Sequence, residues 1–150
     1  MSTDAHFTRP GWFTVNVVNR IVAGLTRAGI SVAGSRVLEV PGRRSGEPRR
    51  TPVNLLTVDG RRYLVSPRGH SQWVRNLRVS GRGNLLLGRR SGPFTATEVP
   101  DDEKAPLLRA YLERWKWEVG AFFDGVGPDS PDAELRRVAP DHPIFRLGPG

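Results

Sequence analysis

From Pro10 to about Ala28 the apolar residues Phe13, Val17, Ile21 and Leu25 recur at four-residue spacing, with Val18 and Val22 beside them. Asn16, Asn19, Arg20 and Arg27 lie off that line, so the pattern predicts an amphipathic helix over residues 10–29, ended by Gly29. Its apolar face either packs on the body of the domain or lies on a membrane surface, with Trp12 and Phe13 at the interface. Residues 1–9 carry no such pattern and read as disordered. Beyond Gly29 the period shortens. Val37, Leu38 and Val40 mark a strand over Ser35–Val40, and Val53–Val58 is a second. Asp59-Gly60 is a two-residue hairpin turn, and Tyr63–Ser66 is the returning strand.

His70–Val79 reads as a short helix. Trp73 and Leu77 lie four apart with Val74 beside them, while Arg75 and Arg78 share another side. His70 or Ser71 caps its start, and Gly81 and Gly83 end it. Asn84–Leu87 and Phe94–Val99 form a further strand pair, turned by Gly88–Pro93. A second long helix runs from Asp101 to about Val119, with three acids at the positive end of its dipole. Leu108, Leu112 and Trp115 line one face, with Leu107 and Tyr111 adjoining. A Gly-, Pro- and Asp-rich loop follows from Phe122 to Pro131, and Pro143–Leu147 is a last strand. Three consecutive strands without an intervening helix argue against a doubly wound sheet. The expected class is α+β, mainly antiparallel β: a small barrel of five or six strands with flanking helices.

The length of 150 residues fits one domain over 1–150. With no cysteine, disulfides, thiol nucleophiles and cysteine metal sites drop out. The start Met-Ser-Thr-Asp lacks a basic-then-apolar leader and no apolar run spans a bilayer, so a cytoplasmic location is expected, with membrane association through the N-terminal helix left open. The net charge is +8, and it is concentrated. Residues 36–90 hold thirteen arginines against Glu39, Glu47 and Asp59, a net of +10. Residues 98–150 are net acidic, with eleven acids against seven bases. A basic middle on a mixed chain calls for a localised anionic partner: a nucleic acid, an acidic lipid surface or a polyanionic cofactor.

The densest part of that charge is Pro41–Pro52, with Arg43, Arg44, Arg49 and Arg50, Gly42 and Gly46, and Ser45. Glycines let a turn point successive N–H groups into one concavity. Arginine forks match phosphate or carboxylate oxygens two at a time. The loop reads as an anion cradle, against the alternative of a solvated basic loop. No Lys-Ser or Lys-Thr pair follows Gly46, so it is not a nucleotide-binding Walker loop. Catalytic sets are scarce. His6, His70 and His142 are scattered outside any metal-ligand spacing, and there is no nucleophile elbow. His70 reads as a cap or surface residue. An anion cradle without an acid, base or nucleophile cluster fits a protein whose reactivity comes from a cofactor.

Two blocks then carry a resemblance. Gly42-Arg43-Arg44-Ser45-Gly46 with Pro48-Arg49 and Thr51-Pro52 resembles the signature of the deazaflavin-dependent nitroreductase and quinone reductase family. Ser66-Pro67-Arg68-Gly69 with Trp73-Val74-Arg75-Asn76-Leu77 resembles its second block at a fitting distance. The resemblance covers roughly residues 36–100. It implies a split β-barrel like those that bind flavin mononucleotide, and as cofactor coenzyme F420, an 8-hydroxy-5-deazaflavin with a phosphate and an oligoglutamate tail. Arg43, Arg44, Ser45, Arg49, Arg50 and Thr51 would hold the phosphate and tail. Ser66, Pro67, Arg68 and Gly69 would contact the ring or ribityl chain through backbone groups. Trp73, Val74, Arg75 and Asn76 would complete the pocket. Arg50 stands where the family varies, and Arg75 where it often has an apolar residue. Tyrosines that some members place near the acceptor have no clear match; Trp115, Trp117, Phe122 and Phe123 occupy that region, as substrate pocket or as plain core.

The resemblance thus implies a reductase passing a hydride from reduced F420 to a quinone, enone or nitroaromatic, with flavin mononucleotide the lesser alternative. A cofactor carrier with little turnover shares the same site. A basic nucleic-acid-binding domain is disfavoured, because the aromatic residues do not interleave with the arginines as stacking platforms would. No metal is expected, and monomer and homodimer both remain open.

Overall fold

The computed structural model describes residues 35–150. The disordered segment expected over residues 1–9 and the helix expected over 10–29 lie outside them. Six antiparallel strands close into a barrel: β1 (Ser35–Pro41), β2 (Pro48–Val58), β3 (Arg61–Val65), β4 (Arg82–Leu87), β5 (Arg90–Glu98) and β6 (Ile144–Pro149). The order around the barrel is β1-β2-β3-β6-β5-β4. Helix α1 (Gln72–Ser80) joins β3 to β4, while α2 (Ala105–Val119) and α3 (Asp132–Val138) lie between β5 and β6 in sequence.

Local chemistry explains most of these elements. Asp59 (φ 51°) and Gly60 (φ 76°) both take the left-handed conformation that a two-residue hairpin requires between Val58 and Arg61. Ser71 holds the N-cap position of α1, but its hydroxyl makes no cap bond. Gly81 closes α1 with its N–H on the Leu77 carbonyl at 2.8 Å.

Several boundaries differ from expectation, among them β3 (Arg61–Val65 rather than Tyr63–Ser66), the start of α1 (Gln72 rather than His70) and the start of β4 (Arg82 rather than Asn84). β2 begins at Pro48 rather than Val53, so Arg49, Arg50 and Thr51 are strand residues. Pro48 and Pro52 are tolerated there because that half of β2 is paired on one side only, with β1. The β4–β5 turn is Gly88-Arg89 alone, and Gly92 and Pro93 are already in β5. Asp101–Glu103 form a separate 3-10 turn instead of the start of α2. The buried Lys104 holds them, with Nζ 2.7 Å from Asp101 and 3.0 Å from the Ala139 carbonyl. β6 extends to Pro149, beyond the Leu147 expected.

Two apolar layers result. Leu38, Val40, Val53, Leu64, Leu85, Phe94 and Phe145 fill the barrel, closed at one end by Val74 and Leu77 of α1. Leu56, Tyr63, Val65 and Ile144 face outward and pack with Leu108, Tyr111, Leu112, Trp115 and Leu135 of α2 and α3. β3 and β6 alternate between the layers, so Tyr63, Leu64 and Val65 are all buried.

Gly83 is where β4 comes closest to β1. A Cβ there would stand 2.7 Å from the Glu39 carbonyl oxygen and 3.0 Å from the Phe94 ring. Overpacking of this kind costs about 1–3 kcal/mol, so Gly83→Ala is expected to lower stability by that amount in urea unfolding. An unchanged midpoint would show that β4 can move away from β1 at no cost.

Candidate functional site

β2 changes partner along its length. Pro48–Asn54 pair with β1, whereas Leu55–Val58 pair with β3. The edge of β2 that would face β3 therefore has no strand partner over Pro48–Asn54 among the described residues. A cleft of about 820 Å³ opens at this split. Its walls are the β1–β2 turn, the first half of β2, the bend after β3, the start of α1 and the end of α2.

The β1–β2 turn lines one end through Arg43, Arg44 and Ser45. Its backbone is largely satisfied from within. Gly42 N–H donates to the Glu47 carbonyl and Gly46 N–H to the Gly42 carbonyl, both at 2.8 Å, and Glu47 N–H donates to Ser45 Oγ at 3.2 Å. Arg43 N–H donates to Asn76 Oδ1 at 3.1 Å. At the tip, the successive N–H groups of Arg44 and Ser45 have no hydrogen-bond partner among the described residues. The arginines divide. The Arg43 guanidinium is held by Gln72 Oε1 at 2.9 Å and Asn76 Oδ1 at 2.8 Å, which ties the turn to α1. Arg50 borders the cleft, but its Nε lies 2.9 Å from Glu39 across the ladder. Arg44 and Arg49 are exposed, line the cleft, and have no hydrogen bond or ion pair from their side chains among the described residues. Thr51 lines the cleft beside them.

The bend after β3 brings Ser66, Pro67 and Arg68 to the wall. Ser66 is fully buried and fully engaged. Its N–H donates to the Pro143 carbonyl, its Oγ to the Gly69 carbonyl, and its carbonyl accepts from His142 Nδ1 at 3.0 Å. His142 is itself buried and stacks on Phe123 with 3.9 Å between centroids. Gly69 closes the bend at φ 82° and stands behind the lining. Arg68 lies over the Phe122 ring, 5.2 Å from its centroid.

Helical phase sorts the second block. Gln72, Trp73 and Asn76 face the cleft. Val74 is fully buried in the barrel core, and Arg75 turns away, its Nε donating to the His70 carbonyl at 3.1 Å. Neither reaches the cleft lining, which corrects the expectation for both. Ser71 Oγ is buried at the cleft wall without a hydrogen-bond partner among the described residues. His70 lies off the cleft with both ring nitrogens engaged: Nε2 on the Pro140 carbonyl and Nδ1 against Arg78, each at 3.1 Å.

The end of α2 supplies residues that sequence reasoning missed. Of the aromatic quartet, Phe122 lines the cleft. Trp115 and Phe123 are core residues, 1% and 0% exposed, and Trp115 Nε1 donates to the Leu55 carbonyl at 3.3 Å. The side chain of Trp117 lies outside the described set. In their place Tyr111 and Glu118 reach the cleft, with Asn54 opposite them on β2. Asn54 Nδ2 donates to Glu118 Oε2 at 2.9 Å. Burial pushes the Tyr111 hydroxyl well above the ordinary phenol range; the Glu118 charge adds to that, and contact with Asn54 opposes it. Tyr111 is therefore a neutral phenol. The one available signal was the i,i+7 spacing of Tyr111 and Glu118, two turns apart on one face.

A second basic group sits at the barrel end away from the β1–β2 turn. Burial, with the charges of Arg62 and Arg90, holds the Arg36 guanidinium below its usual range.

The model of a family described as F420H(2)-dependent quinone reductase matches residues 14–118. Among solved structures, a domain-swapped dimer superposes with a TM-score of 0.55 at 18% identity, covering 91% of this chain and 97% of that one. An F420-H2 dependent reductase superposes with a TM-score of 0.51 at 17% identity, over 77% of this chain and 94% of that one. A heme storage protein from Vibrio cholerae gives 0.53 at 13% identity, over 79% and 82%. At these identities the likenesses show a shared fold. No curated protein sequence matches the chain. Among the described residues, no helix is long and apolar enough to cross a membrane, and no group of His, Asp and Glu could hold a metal.

The turn and α1 are locked together through Asn76, whose Oδ1 takes two bonds from Arg43 and which is 6% exposed. Removing a buried partner costs about 1–3 kcal/mol, so Asn76→Ala is expected to lower stability by that much. Arg44→Ala, at an exposed side chain without a protein partner, is expected to stay within about 0.5 kcal/mol. Urea denaturation of the two variants checks the contrast.

Proposed function

The chain belongs to the F420H(2)-dependent quinone reductase family, and from that premise we propose a reductase that passes a hydride from reduced coenzyme F420 to a small, planar, electron-poor acceptor. Quinones are the first acceptors to test, then enones and nitroaromatics. Residues 1–150 would form one cofactor-binding domain.

The observation that carries this reading is the cleft's chemistry. Arg44 and Arg49 stand at one end with their charge unneutralised by any acid among the described residues. Among the described residues, Ser71 Oγ is a buried hydroxyl at the wall without a hydrogen-bond partner, and the edge of β2 over Pro48–Asn54 that would face β3 has no partner strand. Unmade hydrogen bonds of this kind are costly unless water or a ligand completes them. A volume of about 820 Å³ falls within the usual range for cofactor pockets. A planar ring system with a phosphate and an acidic tail matches that set.

When bound, the reduced deazaflavin supplies the hydride. The chain holds, orients and shields. Arg44 and Arg49, with Ser45 and Thr51, would take the phosphate and acidic tail through charge-assisted bonds. Arg43 acts on them indirectly, by fixing the turn to α1. Pro67, Arg68 and Trp73 would flank the ring, with Asn76 and Gln72 holding the floor of the turn. Phe122 and Val119 would exclude water from the acceptor side. Rate enhancement would come from proximity and orientation, with Arg68 and nearby donors meeting developing negative charge. His70, saturated on both nitrogens and off the cleft, has no part in proton transfer.

Titration of the purified protein with F420 and, separately, flavin mononucleotide tests the reading; the deazaflavin is expected to bind more tightly, and the reverse order would overturn it. Arg44→Ala is expected to weaken that binding about ten- to a hundred-fold, while Arg90→Ala, at the far hairpin, leaves it unchanged. Equal small effects would mean a diffuse positive field instead of a cradle. His70→Ala is expected to keep turnover within a fewfold. Loss of a general acid typically costs about a hundred- to ten-thousand-fold, so a drop of that size, with cofactor affinity intact, would assign His70 a proton-transfer role.

A further inference from the structure

Among the described residues, Glu118 is the one carboxylate on a cleft whose lining includes five arginines. It stands well away from the cradle. Asn54, which binds it, lies five residues along β2 from Arg49, about 17 Å of extended strand. The Asn54 amide donates to Glu118 Oε2 and so fixes the carboxylate against β2, while Oε1 has no partner among the described residues. Next to Glu118, Val119 and Phe122 give an apolar wall, and the Tyr111 hydroxyl lies close enough to feel its charge. A fixed carboxylate oxygen beside an apolar wall accepts hydrogen bonds and repels anions.

We propose that the Glu118–Asn54 pair is an acceptor-selecting subsite, which favours neutral planar acceptors bearing a hydroxyl or other hydrogen-bond donor and rejects those bearing a carboxylate. This rests on the reductase reading above, since it assigns one end of the cleft to the cofactor's anionic tail and the other to the acceptor. The cradle's arginines attract anions generally, and Arg68 lies over the Phe122 ring; Glu118, fixed by Asn54, sets a negative charge against β2, where it turns away an acceptor side chain that ends in a carboxylate. Selection here is by a repulsive element as much as by an attractive one.

The test uses three 1,4-naphthoquinones that differ only at carbon 2, with a hydroxyethyl, an ethyl or a carboxyethyl side chain. Binding to the protein without cofactor is read by quenching of tryptophan fluorescence, since Trp73 lines the cleft. Turnover with reduced F420 is read as kcat/KM. In the wild type the hydroxyethyl compound is expected to bind best and the carboxyethyl worst, about tenfold or more apart. Glu118→Gln keeps the size of the side chain and is expected to narrow that spread to about twofold, and Glu118→Lys to invert the order. Near-ultraviolet circular dichroism checks that both variants are folded. An unchanged spread in folded Glu118→Gln, or a wild type that prefers the carboxylate, would overturn the proposal. Selective binding without turnover would remove the reductase reading and leave the subsite standing. Turnover without selectivity would do the reverse.

Discussion

Everything about this cleft follows from β2 having two partners. The strand leaves β1 after Asn54 and joins β3 at Leu55. A barrel built that way closes, yet one stretch of strand edge has backbone donors and acceptors with no ladder to join. Buried backbone polar groups are nearly always paired, so such an edge must stay wet, be covered or bind something. The helices settle which. α1 and the end of α2 roof the split without plugging it, and they bring Gln72, Trp73 and Asn76 from one side and Tyr111, Glu118 and Phe122 from the other. The opening is therefore a product of strand pairing and not a packing fault. Its two long walls belong to parts of the chain that fold around separate apolar layers, one inside the barrel and one outside.

The arginines show how little a charge count says about binding. Arg43 is consumed by Asn76 and Gln72, Arg50 by Glu39, and Arg78 by a two-point pairing with Glu98. Each pairing joins two elements: the turn to α1, β2 to β1, and α1 to β5. Exposed ion pairs add little stability, so their effect is on geometry. What distinguishes Arg44 and Arg49 is that their side chains make no hydrogen bond or ion pair among the described residues. Arg43 and Arg44 are neighbours with the same side chain, yet one builds the cradle and the other is available to a ligand.

What was legible in the sequence was local. Asp59-Gly60, Gly81 and the alternation of β1 and β3 declare themselves over a few residues, and so do the two arginine- and serine-containing blocks that line half of the cleft. Closure of the barrel by β3 on β6 and β1 on β4 depends on contacts distant in sequence, which no short window contains. The errors at the site have the same root. Val74 and Arg75 belong to a contiguous block in the sequence, but a helix presents only every third or fourth residue to one side. Trp115 and Phe123 resemble pocket aromatics in a sequence and are core residues in the fold. Asn54 and Glu118 look like solvent-facing polar positions until β2 and α2 bring them within 2.9 Å.

The same geometry gives the cleft a direction. Arg44 and Arg49 at one end and Glu118 at the other make the two ends electrostatically unlike, and Tyr111, held as a neutral phenol, does not cancel the difference. Apolar contact with Trp73, Val119 and Phe122 provides area but no orientation, because a flat ring can lie against it either way round. Charge decides the orientation. Two unit charges 4 Å apart near a protein surface interact by about 4 kcal/mol at an effective dielectric constant of about 20. Even a fraction of that, applied with opposite sign at the two ends, exceeds the 1.4 kcal/mol that separates one binding register from its reverse by about tenfold. A ligand with one anionic end is thus oriented by the field before any specific hydrogen bond forms, and the neutral part of the cleft is left for a second molecule. On the proposed reading that part would take the hydride acceptor, away from Arg44 and Arg49, with Arg68 over Phe122 beside it.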